Sequence, residues 1–269
     1  MELSIQHLAS TFGNQLSQRP VLHFISVYLK VAMLTMFLKL SLKLLCACIA
    51  RCGFTRWPSR RYPINQRLSL IAILDYGSGN LRSAERAFAT SGKEVVVTSD
   101  RAVALEAEGL VVPGVGAFEA CMQGLIAIDG AEIIHERIAR ERPVLGICVG
   151  MQILFSKGTE RSENGPHAGV GIWEAEVSKI QAPILPHMGW NDVESATDST
   201  LFNGIEDQSF YFVHSYAAKK AVGIRQSWTT YGEKFLAAIE DEYVSATQFH
   251  PEKSGDAGLA LIKNWAKTL

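Results

Sequence analysis

The chain has 269 residues, 48% of them hydrophobic and 20% charged, with a formal net charge of −1. That is enough apolar material for a domain with a substantial core, while five cysteines spread over this length are too few for a disulfide framework. No internal repeat or low-complexity tract is present, and no basic face in the body of the chain suggests nucleic acid.

The near-neutral charge conceals two unlike pieces. Residues 1–68 carry nine Lys or Arg and one acid, Glu2, for a net +8, whereas the remaining 201 residues hold 17 basic and 26 acidic side chains, net −9. Val21 to Ala50 is strongly apolar, but Lys30, Lys39 and Lys43 interrupt it. A membrane span wants ~20 mostly apolar residues, and each lysine near the bilayer centre costs ~2.5–3.5 kcal/mol, so the uninterrupted runs are too short to cross. Three readings of the segment stand, in this order: translation from upstream of the true start, a targeting or membrane-surface segment, and an ordered domain. Membrane contact is expected only if the extension is real. Cys46, Cys48 and Cys52 lack a second ligand pair or a nearby histidine and make a weak zinc signal. The folded body is expected to begin at about Ser69, dividing the chain into an extension, 1–68, and a single domain, 69–269.

The body opens with "LSLIAILDYG", a continuous apolar run of the kind found in parallel strands buried on both faces. The run stops at Asp75, Gly77 and Gly79, and Asn80 is a good N-cap for a helix over "LRSAERAFATSG". The G-x-G-x-x-G spacing of a dinucleotide fingerprint is absent from "DYGSGN". "KEVVVTS" predicts the second strand and "GLVVPGVG" the third, with helices at about Ala117 to Ala127 and Ala131 to Glu141. This alternation predicts an α/β fold with a doubly wound, largely parallel sheet, helices on both faces and an active site at the carboxyl ends of the strands. From Gly171 the pattern shifts to shorter strands, "GIWEAEVSKI", "SFYFVHSYA", "VGIRQSWT", "FLAAIED" and "YVSATQF", a mixed or partly antiparallel half. "DAGLALIKNWAKTL" closes the chain as an amphipathic helix.

The chemistry concentrates at "RPVLGICVGMQ", Arg142 to Gln152. An apolar strand, Val144 to Ile147, runs into a turn with Cys148 at its apex, Gly146 and Gly150 two positions to either side, and a helical-looking "MQILFS" after it. This is the G-x-nucleophile-x-G pattern of a sharp strand-to-helix turn. The glycines avoid collisions in the turn, the nucleophile sits in a strained conformation, and the positive end of the following helix favours a thiolate. A buried structural cysteine is the bland alternative. A cysteine nucleophile needs a base oriented by a third group, and "VSATQFHPEKS" holds His250 and Glu252 two residues apart. In a strand both would face one side, with Pro251 suiting a strand end or edge. The order Cys, His, Glu disfavours an α/β-hydrolase, which runs nucleophile, acid, histidine. Only Cys121 and Cys148 remain in the body, and two thiols there point to a reducing compartment, hence the cytoplasm.

"GICVGMQ" with a late "FHPE" resembles the class I, triad-type glutamine amidotransferases. "ILDYGSGNLRS", "VPGVGAF", "LPHMGWN" and "YFVHSY" narrow the resemblance to the glutaminase subunits of imidazole glycerol phosphate synthase, over roughly Leu70 to Leu269. The resemblance implies a flavodoxin-like domain with Cys148 as nucleophile, His250 as base and Glu252 as its orienting group. It further implies an oxyanion hole from the "PGVG" loop, Gly114 and Val115, with the Val149 amide, the loop flipping before its N–H faces the site. Gln152, His214, Ser215 and Tyr216 would hold the two ends of glutamine. Trp190, otherwise readable as a core plug or interface anchor in a polar turn, would meet a partner together with Tyr211 and Lys253. That partner would be a (β/α)8 barrel cyclase subunit that receives ammonia and makes imidazole glycerol phosphate and aminoimidazole carboxamide ribotide in histidine biosynthesis. No cofactor and no metal are implied. A glutaminase serving another synthase, such as that for pyridoxal phosphate, is the nearest alternative, and "PHMGWN" argues against it. An inactive module that only scaffolds a barrel is the alternative from another class, disfavoured by the intact Cys148, His250 and Glu252.

Overall fold

The computed structural model describes residues 70–161 and 165–269. The readings made for residues 1–68, including those for Cys46, Cys48 and Cys52, lie outside the described residues. The first apolar run forms β1 (Leu70–Leu74), buried along its whole length. Helix α1 (Leu81–Ala89) follows, and the Asn80 side chain accepts the Ser83 N–H at its start. After β2 (Glu94–Thr98) comes a helix that the sequence pattern did not reveal, α2 (Arg101–Glu106). Six residues are too few to show a period; its signal was the cap, Asp100, whose Oδ1 accepts the N–H groups of Ala102 and Val103 at 2.8 and 3.2 Å. Next come β3 (Gly109–Gly114), α3 (Phe118–Ile126), α4 (Gly130–Ala139) and β4 (Val144–Cys148).

The helix after Cys148 departs from expectation. It is a single turn, α5 (Val149–Gln152), and Phe155 already begins β5 (Phe155–Gly158). The apolar run "MQILFS" serves a helix or a strand equally well, and non-local bonds decide. The N–H groups of Val170, Gly171 and Ile172 bond to the carbonyls of Ile153, Phe155 and Leu154, capturing the chain in extended form. There follow β6 (His167–Ala168), β7 (Trp173–Lys179), β8 (His187–Asp192), β9 (Ser209–His214), β10 (Tyr216–Ala218), β11 (Arg225–Tyr231), β12 (Glu233–Asp241), β13 (Val244–Thr247) and α6 (Gly255–Ala266). The segment read as a polar turn around Trp190 is therefore a strand, and it pairs antiparallel with β9 so that Trp190 stands opposite Tyr211.

Seven strands make the central sheet, in the order β11-β12-β13-β4-β3-β1-β2. The five from β13 to β2 are parallel, and β12 and β11 extend that sheet antiparallel at one edge. The order reverses beside β1, the kind of switch point at which such sheets open a crevice. Smaller sheets, β10-β7-β5-β6 and β8-β9, complete the second half. At the entrances of β3 and β4 the fully buried Arg137 guanidinium donates to five carbonyls, those of Ala104, Leu105, Ala107, Glu108 and Pro143. It ties the α2–β3 turn to the start of β4. At the other end the register aligns Gly114 with Cys148 and Ile147 with Thr247, so β3, β4 and β13 emerge together.

Candidate active site

Cys148 ends β4 with φ 56° and ψ −113°, a left-handed conformation that costs a non-glycine residue of order 1–3 kcal/mol. The surrounding packing holds it there. A Cβ on Gly150 would lie 1.9 Å from the Val112 carbonyl oxygen, and one on Gly114 would lie 2.3 Å from the Gly150 nitrogen. The end of β3 and the turn after β4 are thus in backbone contact, which is why the glycine pattern is required. Cys148 is buried and free, as is Cys121.

His250 and Glu252 meet, though not by way of a strand. β13 stops at Thr247, His250 is extended, and Pro251–Lys253 form a 3₁₀ turn with proline in its first position, where a missing N–H costs nothing. The turn brings Glu252 Oε1 to 2.7 Å from His250 Nδ1, both side chains nearly buried. Ser254 braces the turn. Its hydroxyl donates to the His250 carbonyl at 2.7 Å and accepts the Tyr211 N–H at 2.9 Å, while the His250 N–H bonds to the Tyr211 carbonyl at 3.0 Å. Burial acts to lower the His250 pKa, but hydrogen bonds and attraction to the Cys148 sulfur and the Glu252 carboxylate outweigh it and raise it to about 10. At neutral pH the imidazole is therefore charged, with a partner on either side.

A cavity of about 380 Å³ opens over this pair, lined by residues from six parts of the chain. Cys148, Val149, Gln152, His214, Ser215, Tyr216, His250, Val115 and Lys253 all reach it, so nearly every residue singled out for catalysis or substrate converges. Gly114 and Glu252 lie just behind, on a smaller adjoining cavity. Gln152 Nε2 donates to the Tyr216 carbonyl at 2.8 Å and to Gln248 Oε1 at 3.0 Å. Both amide hydrogens are thereby committed, leaving the carboxamide oxygen to face a ligand. The Val115 N–H is engaged by Ser78 Oγ at 3.1 Å, and that hydroxyl bonds the Val115 carbonyl at 2.9 Å. Trp190 and Tyr211 are outside the cavity, their rings 6.2 Å apart, and Trp190 is 59% exposed beside Met188 at 62%.

Four residues of this neighbourhood escape the sequence reading. Glu160 lines the cavity and accepts the Phe118 N–H at 2.8 Å; it sits in a loop with no pattern around it. Gln248 places its amide 3.9 Å from the Cys148 sulfur, and its position two residues before His250 was the available clue. Ser78 and His187 are found through partners more than 25 positions away. Among the described residues, no group of three or more His, Cys, Asp or Glu is disposed to hold a metal ion, and no helix is long and apolar enough to cross a membrane.

The family model for class-I glutamine amidotransferases matches residues 72–268. Imidazole glycerol phosphate synthase subunit HisH of Mycolicibacterium paratuberculosis is 57% identical over 203 residues, covering 74% of this chain and 98% of its own length. The subunit of the same description from Bifidobacterium longum is 50% identical over 218 residues, covering 75% of this chain and all of its own length. Among solved structures, a glutamine amidotransferase superposes with a TM-score of 0.58 at 18% identity, over 73% of this chain and 98% of that one. PurLQS from Thermotoga maritima gives 0.56 at 18% identity, over 75% and 99%; at such identity these two speak to the fold alone. With the matched region spanning every element from β1 to α6, the chain belongs to the class I glutamine amidotransferases and, within them, to the HisH family of imidazole glycerol phosphate synthase subunits.

Proposed function

We propose that residues 69–269 form a glutaminase in which Cys148, His250 and Glu252 act as a triad and the ammonia formed passes to a (β/α)8 barrel cyclase subunit. The sulfur of Cys148 attacks the side-chain amide carbon of glutamine. His250 gives its proton to the departing nitrogen, and ammonia leaves a glutamyl thioester. A water then attacks the thioester and cedes its proton to His250, glutamate departs, and the cysteine is restored. Glu252, bonded to His250 Nδ1, keeps the other ring nitrogen toward the sulfur.

The cavity's chemistry suits the rest of the substrate. The Gln152 carboxamide oxygen and the Glu160 carboxylate would accept the substrate ammonium, and the His214–Tyr216 segment and Lys253 would take its carboxylate end. The Val149 N–H and a reoriented "PGVG" peptide, through Gly114 or Val115, would hold the oxyanion. Trp190, exposed, and the half-buried Tyr211 packed against it give an aromatic pair suited to an interface hot spot. With Lys253 they would meet the barrel, which uses the ammonia to make imidazole glycerol phosphate and aminoimidazole carboxamide ribotide in the cytoplasm.

One observation carries the proposal: a cysteine in a strained strand-to-helix turn shares a cavity with a histidine that is hydrogen-bonded to a buried carboxylate. Its test is a diazo-ketone analogue of glutamine, which alkylates only a nucleophile beside a glutamine pocket. A single adduct on Cys148, prevented by excess glutamine, is expected. An adduct elsewhere, or none, would remove the basis for the reading.

A further inference from the structure

Two histidines of the second half are buried and have no part in the triad. His187, from β8, is 2% exposed and does not line the cavity, and His214, from β9, is 6% exposed and touches the cavity only at its wall. Their rings are joined, His187 Nδ1 to His214 Nε2, at 3.1 Å. His214 Nδ1 in turn lies 3.0 Å from the Tyr216 carbonyl oxygen.

The direction of every bond in this chain follows from its last acceptor. A carbonyl oxygen only accepts, so His214 Nδ1 carries the proton. Burial drives His214 down to about 3, against the pull of the Tyr216 carbonyl, so the ring is neutral and its Nε2 is an acceptor. His187 must then donate from its own Nδ1. Burial also lowers His187, to about 4, so its Nε2 is an acceptor in turn, and it faces the Asn191 amide nitrogen at 3.5 Å. Both rings are thereby held as Nδ1–H tautomers. Packing holds them too: His187 stacks on Tyr231 at 4.0 Å and on Phe212 at 4.9 Å, and His214 sits edge-on to Phe235 at 4.9 Å.

The far end of the chain is what gives it a use. The Tyr216 carbonyl oxygen accepts from His214 and from Gln152 Nε2, which fills both of its lone pairs. That carbonyl, together with Gln248 Oε1, sets which way the Gln152 carboxamide points. We propose that His187 is a positioning residue of the glutamine pocket: paired with His214 in a tautomer-locked relay, it fixes the Tyr216 peptide and through it the Gln152 oxygen that receives the substrate. An apolar ring at 187 would fill the same space, but it would leave His214 Nε2 without a donor and free that ring to turn. The inference rests on the glutaminase reading above and concerns binding, not the chemical step.

The test measures two rates of Cys148 alkylation on the full chain. The diazo-ketone glutamine analogue needs the substrate pocket; iodoacetamide needs only the sulfur. His187→Phe keeps the stacking and removes the donor. It should slow labelling by the analogue at least tenfold while leaving the iodoacetamide rate within twofold, and His187→Gln, which restores an N–H donor, should recover part of the loss. Analogue labelling of His187→Phe at the parent's rate, or equal slowing with both reagents, would overturn the proposal. A parent chain that the analogue does not label would instead overturn the glutaminase reading. If the phenylalanine variant does not fold, nitrogen-15 histidine spectra of the parent decide. Two neutral Nδ1–H rings at pH 7 support the relay, and an Nε2–H form of either ring refutes it.

Discussion

At the scale of single residues, the site works by contrasting environments for its histidines. His250 lies between the Cys148 sulfur and the Glu252 carboxylate, and its interactions with these two neighbours overcome burial and raise its pKa. Among the described residues, His187 and His214 have no carboxylate beside them: burial alone lowers His187, and burial, reinforced by repulsion from His187 and His250, lowers His214, so both stay neutral. The same imidazole is thus placed for the proposed acid–base role in one setting and for a fixed hydrogen-bonding one in the other. Cys148→Ala is expected to abolish glutamine hydrolysis while synthesis from added ammonium survives in the complex, because a barrel partner can take ammonia from solution. Glutamate release at the parent's rate from the alanine variant would show that another group is the nucleophile.

At the scale of elements, the parallel core and its two ends divide the labour. The carboxyl ends of β3, β4 and β13 carry the candidate site, and backbone contact between the end of β3 and the turn after β4 leaves no room for a Cβ at Gly114 or Gly150. The opposite end is held by Arg137, a buried cation hydrogen-bonded by carbonyl dipoles, with the Glu106 carboxylate near enough to favour its charge. Five carbonyls lose their donor together if it is removed, and a buried acceptor left unmade costs roughly 1–3 kcal/mol. Arg137→Ala should therefore destabilise the domain by about 3 kcal/mol or more, a fall in Tm of about 6–12 °C for a domain of this size. Thermal unfolding checks this, and a shift under 2 °C (roughly the effect of a surface change) would mean that the stitch is dispensable.

At the scale of the whole molecule, the buried histidines make stability depend on pH in opposite senses. His187 and His214 titrate near 4 and 3 when folded and near 6.5 when unfolded. As pH falls below 6.5 the unfolded chain takes up protons that the folded chain refuses, so stability is lost progressively toward pH 4. His250 is raised to about 10, so its contribution is complete below 6.5 and is lost as pH rises toward 10. Denaturant midpoints measured across this range should fall on both sides of neutrality, and His187→Phe should flatten the acid limb. Control by a partner also belongs at this scale. The Val115 N–H is held by Ser78, and Gly116 beside it has φ 93°, a conformation that lets the peptide turn. A tetrahedral intermediate lacking that donor loses about 10²–10³ in rate. The isolated chain should therefore hydrolyse glutamine very slowly, and a loaded barrel subunit should raise turnover by orders of magnitude; equal rates with and without it would rule out this control. Removing residues 1–68 should change neither unfolding temperature nor the activity of the complex, since the candidate triad and the described strands of the central sheet all lie after them.

The sequence by itself determined whatever depends on neighbours in the chain. The run into Cys148, the glycines two residues away, the His-Pro-Glu tripeptide and the alternation of β1 to β4 with helices are local patterns, written by the steric and periodic demands of a few consecutive residues. Class was legible there, as were the candidate nucleophile and base. The tertiary structure decided what depends on pairing across distance. "MQILFS" left its helix after one turn and entered a strand at Phe155 because residues 170–172 bond to it, "HMGWN" became a strand because β9 lies beside it, and Glu252 reached His250 through a 3₁₀ turn after β13 had ended. Glu160, Ser78, His187 and Gln248 joined the site only once chain segments tens of residues apart were packed together, and a hydrogen bond between residues so separated leaves no periodic trace in either segment.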